Sequence, residues 1–137
     1  MEHFHLHFNL LAVLASGVFL WLLGWLWYSP VAFGKKWAAL VPGPQGDKKR
    51  TFLVGSILSL IGDIVLAFVL AHVIIWSGTY EWGRGLFIGV VMWLGFFGAV
   101  GAPQAVFEGR PFKLFAINQC YYLLGLMLVG GILAVWR

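Results

Sequence analysis

Four long hydrophobic runs constrain the fold of this chain more than any other feature of its sequence. They cover about residues 8–28, 52–77, 85–107 and 112–136, and each approaches the roughly 20 residues that a helix needs to cross about 30 Å of hydrocarbon. Because hydrocarbon offers no water to backbone amides, such runs must be helical, and they are too long and continuously apolar for barrel strands. The pattern predicts an all-α, integral membrane four-helix antiparallel bundle.

The composition leaves little material for a separate soluble domain. The chain has 137 residues, of which 61% are hydrophobic and only 10% are charged. A water-soluble domain could not cover so apolar a chain with polar surface. The first run has no basic segment before it and no small-residue cleavage site after it, so we interpret it as a retained helix. We therefore expect residues 1–137 to form a single transmembrane domain.

Basic residues are concentrated in two of the three turns between the runs. The first turn carries Lys35, Lys36, Lys48, Lys49 and Arg50, the third carries Arg110 and Lys113, and the other side has only Arg84 and Arg137. The positive-inside rule therefore predicts a multi-pass protein of the cell inner (cytoplasmic) membrane with both termini extracytoplasmic. Residues 31–40 mix aromatic and basic side chains, as an interfacial helix does. The net charge of +4 thus indicates membrane lipids, and no nucleic acid, as partners.

Asp63 is the residue that is most costly to place in a bilayer. It falls about 11 residues into the second run, roughly 16 Å deep at 1.5 Å per residue, where an ionised carboxylate costs at least about 2.5 kcal/mol. Ser59 and Ser56 precede it on the same helical face. This Asp63 stripe (Ser56, Ser59 and Asp63) indicates either an ion, proton or polar-solute site, or a hydrogen-bonded packing residue. The sequence leaves both interpretations open.

The fourth run and the turn before it supply the other candidate binding residues. Asn118 and Tyr122 lie on one helical face, where they could contact a ligand or bond to a neighbouring helix. Glu108 and Arg110 flank the tight turn. The simpler interpretation is a salt bridge beside the lipid headgroups, and the alternative is a cytoplasmic gate or a clamp for an anionic ligand.

The N-terminus contains the only pattern that suggests a metal. His3, His5 and His7 alternate, with Glu2 beside them, and alternating imidazoles in an extended segment can hold a transition metal. In a helix, however, only His3 and His7 share a face. A frayed terminus is the simpler interpretation, so we predict no metal site. The chain also shows no nucleophile–base pair and no phosphate loop, so it indicates no catalytic residue, no particular cofactor and no enzyme class.

Two motifs near the basic turns carry a resemblance to a known family. They are Trp27-Tyr28-Ser29-Pro30 with Phe33-Gly34-Lys35 and Trp37, and Phe107-Glu108-Gly109-Arg110-Pro111 with Leu114, Ile117 and Asn118. Through them the sequence resembles the small four-helix bacterial membrane proteins of domain of unknown function 1761, over most of the chain. The resemblance implies the fold but no activity, and it directs attention to the cytoplasmic turns rather than to Asp63.

Three functions are compatible with these features. The first is an oligomeric transporter or channel-like protein for an ion or small polar solute, in which identical chains line a path with the Asp63 stripe. The second is a membrane-embedded lipid or hydrophobic-ligand binding protein or enzyme, in which Glu108, Arg110 and Asn118 engage a polar head. The third is an accessory subunit of a larger membrane complex. The intramembrane carboxylate favours transport.

Overall fold

The computed structural model describes residues 9–41, 43 and 46–136, and every regular element in this part of the chain is helical. The elements are α1 (Leu10–Trp27), α2 (Gly34–Leu40), α3 (Lys48–Ser77), α4 (Trp82–Phe107) and α5 (Phe112–Val135). All of them except α2 are long and apolar enough to cross a membrane. The four hydrophobic helices expected from the sequence are therefore present.

Capping residues set the helix ends more sharply than hydropathy does. α3 begins at Lys48, ahead of the start near residue 52 that hydropathy indicates, because the Asp47 side chain accepts a 3.0 Å hydrogen bond from the Lys49 amide. Such a cap satisfies one of the unpaired donors in the first helical turn. Gly78 ends the same helix in the left-handed conformation, with φ of 70°, which glycine adopts without steric cost.

The segment predicted to be interfacial contains the short helix α2. A tight turn precedes it, and Gly34 permits that turn because a Cβ atom there would collide with the Tyr28 carbonyl oxygen. The Trp37 ring packs edge to face against Tyr28, with ring centroids 5.7 Å apart. α2 also contacts α5, so it is held against two of the long helices.

α5 is the centre of the helix packing. It contacts each of the other four helices and is the most buried of the four membrane-length helices. The fully buried core side chains come from three helices and include Leu20, Ala67, Ile74, Val129 and Ala134. α1 and α3 also pack on each other, whereas α4 makes its main contact with α5. α4 is thus the least embedded of the long helices.

The outward faces of the long helices are apolar. Ile57 and Leu58 on α3 and Phe87 and Phe96 on α4 are all more than half exposed. Soluble monomers rarely present such extended apolar surface to water. These faces suit a hydrocarbon environment or the apolar surface of another protein.

Candidate functional site

α4 and α5 are in close contact along only one half of their length. Gly85 of α4 lies against Gly130 and Gly89 lies against Leu126, so that a Cβ atom on either α4 glycine would collide with a carbonyl oxygen of α5. Small residues at these positions let the two backbones touch. The second half of α4 makes far fewer contacts with α5. The two helices therefore diverge, and a cleft opens between them.

Irregular backbone in α4 accompanies this divergence. The helix is α-helical over Trp82–Trp93, π-helical over Leu94–Gly98 and α-helical again over Ala99–Phe107. Pro103 lies inside the last part. A π segment changes the helical register, and an internal proline removes a backbone donor and bends the axis. The π segment and Pro103 therefore change the direction of the α4 axis, so that its second half turns away from α5.

The α4–α5 cleft has a volume of about 120 Å³ and lies beside the Glu108–Pro111 turn. Its polar lining residues are Gln104, Glu108, Arg110, Asn118 and Gln119, and its apolar lining residues are Gly101, Ala105, Leu114 and Phe115. One water takes up about 30 Å³ in the liquid, so the space suits a small polar group. Three residues singled out in the sequence, Glu108, Arg110 and Asn118, are brought together here.

An ion pair spans the turn at the mouth of the cleft. The Arg110 Nε atom lies 2.7 Å from Glu108 Oε2, and both side chains are about half exposed. The pairing is local, because Gly109 adopts the left-handed conformation with φ of 67° and the Arg110 amide donates to the Ala105 carbonyl at 2.9 Å. No other partner of the guanidinium is found among the described residues. Glu108 therefore engages the Nε atom of Arg110 and leaves its terminal nitrogens available.

Asn118 is fixed in the cleft wall from the opposite side. The Tyr28 hydroxyl, at the end of α1, donates a 2.7 Å hydrogen bond to Asn118 Oδ1. A second hydrogen bond joins the same two segments, because the Trp27 Nε1 atom donates to the Ile117 carbonyl at 2.9 Å. With its oxygen occupied, Asn118 offers its amide NH₂ group to the cleft.

Gln119 is a cleft residue that the sequence motifs did not single out. Its Oε1 atom is buried and has no hydrogen-bond partner within the described part of the chain, and its Nε2 atom would lie 3.1 Å from a Cβ atom at Gly101. The signal that could have revealed it is simple, because Gln119 is the only glutamine in the fourth apolar run. An unpaired buried acceptor costs about 1–3 kcal/mol, so Gln119 places a destabilising group in the cleft wall.

Asp63 and Tyr122 do not line the cleft. Asp63 is 8% exposed and is buried among the helices. The Tyr121 hydroxyl donates to the Leu20 carbonyl at 2.7 Å, and the Tyr122 ring stacks on Phe97 with centroids 5.0 Å apart. The helical face predicted to carry both Asn118 and Tyr122 is thus divided between two environments.

The Asp63 stripe is not gathered into one site within a single chain. Asp63 is buried and Ser59 is exposed. Ser56 is partly buried, and its carbonyl accepts a 3.0 Å hydrogen bond from Trp21 Nε1 of α1. A path lined by all three residues would therefore need a second chain against α3.

The possible metal ligands near the N-terminus lie outside the described residues; they are His3, His5, His7 and Glu2. Across residues 9–41, 43 and 46–136, no group of three histidine, cysteine, aspartate or glutamate side chains could hold a metal ion. The α4–α5 cleft is the candidate site, because Glu108, Arg110 and Asn118 meet there.

The fold and the cleft define a class of protein, namely a small helical chain with four membrane-length helices and a polar cleft at one end of the α4–α5 pair. The chain belongs to the family described as Protein of unknown function (DUF1761), whose sequence profile matches residues 11–134. This match confirms the resemblance carried by the two turn motifs. No curated protein and no solved structure matches the chain.

Proposed function

We propose that this chain is a multi-pass protein of the cell inner (cytoplasmic) membrane, built as an antiparallel four-helix bundle. The chain has four membrane-length helices with exposed apolar faces, and both features support a location in a lipid bilayer. Neighbouring helices meet in reversed order, since Gly85 lies against Gly130 and Gly101 lies beside Gln119. The basic load of the α1–α3 and α4–α5 turns supports a cytoplasmic position for both turns and an extracytoplasmic position for both termini.

Within this arrangement, the chain binds the polar head of an amphipathic molecule in the α4–α5 cleft. The observation that carries this proposal is the convergence on one concavity of an ion pair and three amide side chains. The cleft walls include Leu114 and Phe115, which suit the apolar part of such a molecule. Ligand sites of this kind combine apolar walls with a few oriented polar groups.

Two matched substitutions, each replacing an alanine by phenylalanine, test this proposal. Ala105 lines the cleft, so Ala105→Phe fills it, whereas Ala102 lies three residues earlier on the same helix and is exposed. Native mass spectrometry of protein purified in a mild detergent counts the amphipathic molecules that remain bound. We expect Ala105→Phe to lose the bound molecule and Ala102→Phe to keep it. Equal retention by the two variants would overturn the proposal.

A second candidate function, transport of an ion or small polar solute by a homo-oligomer, is favoured by the burial of Asp63. This carboxylate sits in the core, and neither salt bridge of the described chain involves it. A second copy packed on the exposed face of α3 would complete a path along the Asp63 stripe. The test is solute flux in proteoliposomes, where we expect Asp63→Asn to abolish the flux and the surface change Val106→Ala to preserve it. Unchanged flux in Asp63→Asn would remove the stripe from the mechanism.

A further inference from the structure

Arg110 presents a preoriented cationic group at the mouth of the α4–α5 cleft. Its Nε atom is held by Glu108 at 2.7 Å, and its side chain is 56% exposed. A guanidinium fixed through Nε keeps its two terminal nitrogens as a planar fork, which matches two oxygens of a phosphate or carboxylate. The ion pair thus orients Arg110 toward an oxyanion without occupying its fork.

The amide side chains add donors from a different wall. The oxygen of Asn118 is occupied by Tyr28, so its NH₂ group is the part that can meet a ligand. Gln119 places a second NH₂ group beside Gly101 and leaves a buried, unpaired oxygen. Together with Arg110, the cleft offers three groups of donors. A fitting ligand carries several anionic oxygens.

The arrangement of the donors favours a tetrahedral anion over a planar one. Arg110 approaches from the turn after α4, whereas Asn118 and Gln119 approach from α5. Donors from two walls suit the oxygens of a phosphate, which point in several directions, better than the two coplanar oxygens of a carboxylate. Glu108 is the only acid that lines the cleft, and its charge is paired with that of Arg110. Lys113, in the first turn of α5, adds a positive charge on the same end of the helix, which suits a phosphate near the bilayer interface.

We propose that the α4–α5 cleft recognises the phosphate of an amphipathic molecule. Arg110, Asn118 and Gln119 donate to the phosphate oxygens. This inference rests on the proposed amphiphile-binding function and narrows its ligand to the phosphate-bearing class. A site for free inorganic phosphate would use the same donors. The experiment distinguishes such a site from one for a phosphate-bearing amphipathic molecule.

The experiment uses the full chain, delipidated in detergent, and three probes. They are dioleoyl phosphatidylglycerol, dioleoylglycerol with the same tails but no phosphate, and inorganic phosphate. Native mass spectrometry measures the affinity of each lipid, and inorganic phosphate is tested as a competitor. We expect the phosphate-bearing lipid to bind about tenfold more tightly than dioleoylglycerol, because hydrogen bonds to a charged phosphate are stronger than those to a neutral hydroxyl. If the natural ligand is a phosphate-bearing lipid, inorganic phosphate should not displace the bound lipid. Displacement would instead identify free phosphate as the natural ligand.

Variants at two arginines provide the matched comparison. Arg84 forms the other exposed arginine–glutamate pair of the described chain, 3.5 Å from Glu81, and it does not line the cleft. We expect Arg110→Gln to weaken binding of the phosphate lipid about tenfold, Arg110→Lys to weaken it less, and Arg84→Gln to leave it unchanged. Size-exclusion chromatography and circular dichroism check that each variant is folded.

The outcomes separate this inference from the proposed function. Suppose that both lipids bind with equal affinity and that Ala105→Phe abolishes the binding of both. The cleft then binds amphipathic molecules without recognising phosphate, and the inference is overturned. If Ala105→Phe affects neither lipid, the proposed function itself fails. If Arg110→Gln and Arg84→Gln weaken binding alike, the effect is one of general surface charge, which also overturns the inference.

Discussion

The Tyr28 hydroxyl donates a 2.7 Å hydrogen bond to Asn118 Oδ1, across 90 residues of sequence. The two residues lie in the two turn motifs, so the bond joins the end of α1 to the cleft wall on α5. The neighbouring bond from Trp27 to the Ile117 carbonyl strengthens the same junction. The cleft therefore has one wall fixed by α1, while the other wall, on α4, diverges from α5.

A double-mutant cycle should detect the Tyr28–Asn118 bond as a coupling energy. We expect Tyr28→Phe and Asn118→Ala to show a coupling of about 0.5–1.5 kcal/mol in the free energy of unfolding, the usual net value of one hydrogen bond. Unfolding in mild detergent by added denaturing detergent measures it. Trp21→Phe combined with Asn118→Ala serves as the control, because Trp21 bonds to α3 instead. Additive effects for Tyr28 and Asn118 would contradict the geometry.

The glycine contact between α4 and α5 should be intolerant of a single methyl group. A Cβ atom at Gly89 would collide with the Leu126 carbonyl oxygen, whereas a Cβ atom at Gly95 on the same helix would meet nothing within 4 Å. We expect Gly89→Ala to lower the free energy of unfolding by about 1–3 kcal/mol, as overpacking does. Gly95→Ala should have little effect or stabilise slightly. A similar loss of stability in both variants would show that the contact is not specific.

The helices were predictable from sequence because a bilayer forces long apolar runs into one conformation. Their exact ends were not, since Asp47 caps α3 through a side-chain bond that hydropathy does not report. The first helical turn of α3 is therefore made of charged residues. Capping at a polar residue ahead of an apolar run is the local rule that corrects this boundary.

The cleft could be predicted only in part. Glu108, Arg110 and Asn118 stand out because the turn and the helical face place them near one another. The burial of Gln119 could not be read from spacing, because it depends on how far α4 diverges after its π segment. The Asp63 stripe shows the same limit, since helical spacing gives the angle between Asp63 and Ser59 but not which neighbour each one faces.

Cysteine labelling tests the predicted orientation of the chain in the membrane. Cys120 is the only cysteine, so a Cys120→Ser background allows single cysteines to be added at Lys36 and Glu81, both of which are exposed. We expect a membrane-impermeant maleimide to label Glu81→Cys on intact cells, and Lys36→Cys only after the membrane is permeabilised. The reverse pattern would invert the orientation and place the cleft on the extracytoplasmic side.

Replacing Gln119 by leucine should raise the stability of the chain but weaken its binding of a phosphate-bearing lipid. Its buried oxygen lacks a partner, so Gln119→Leu removes an unsatisfied acceptor and fills a similar volume with apolar atoms. We expect the free energy of unfolding of the ligand-free chain to rise by about 1 kcal/mol, while the affinity for a phosphate-bearing lipid falls. Gln104 is the matched control, because it lines the same cleft but is exposed, so Gln104→Leu should bring no such gain in stability. A loss of stability in Gln119→Leu would mean that the amide is already satisfied in the ligand-free protein.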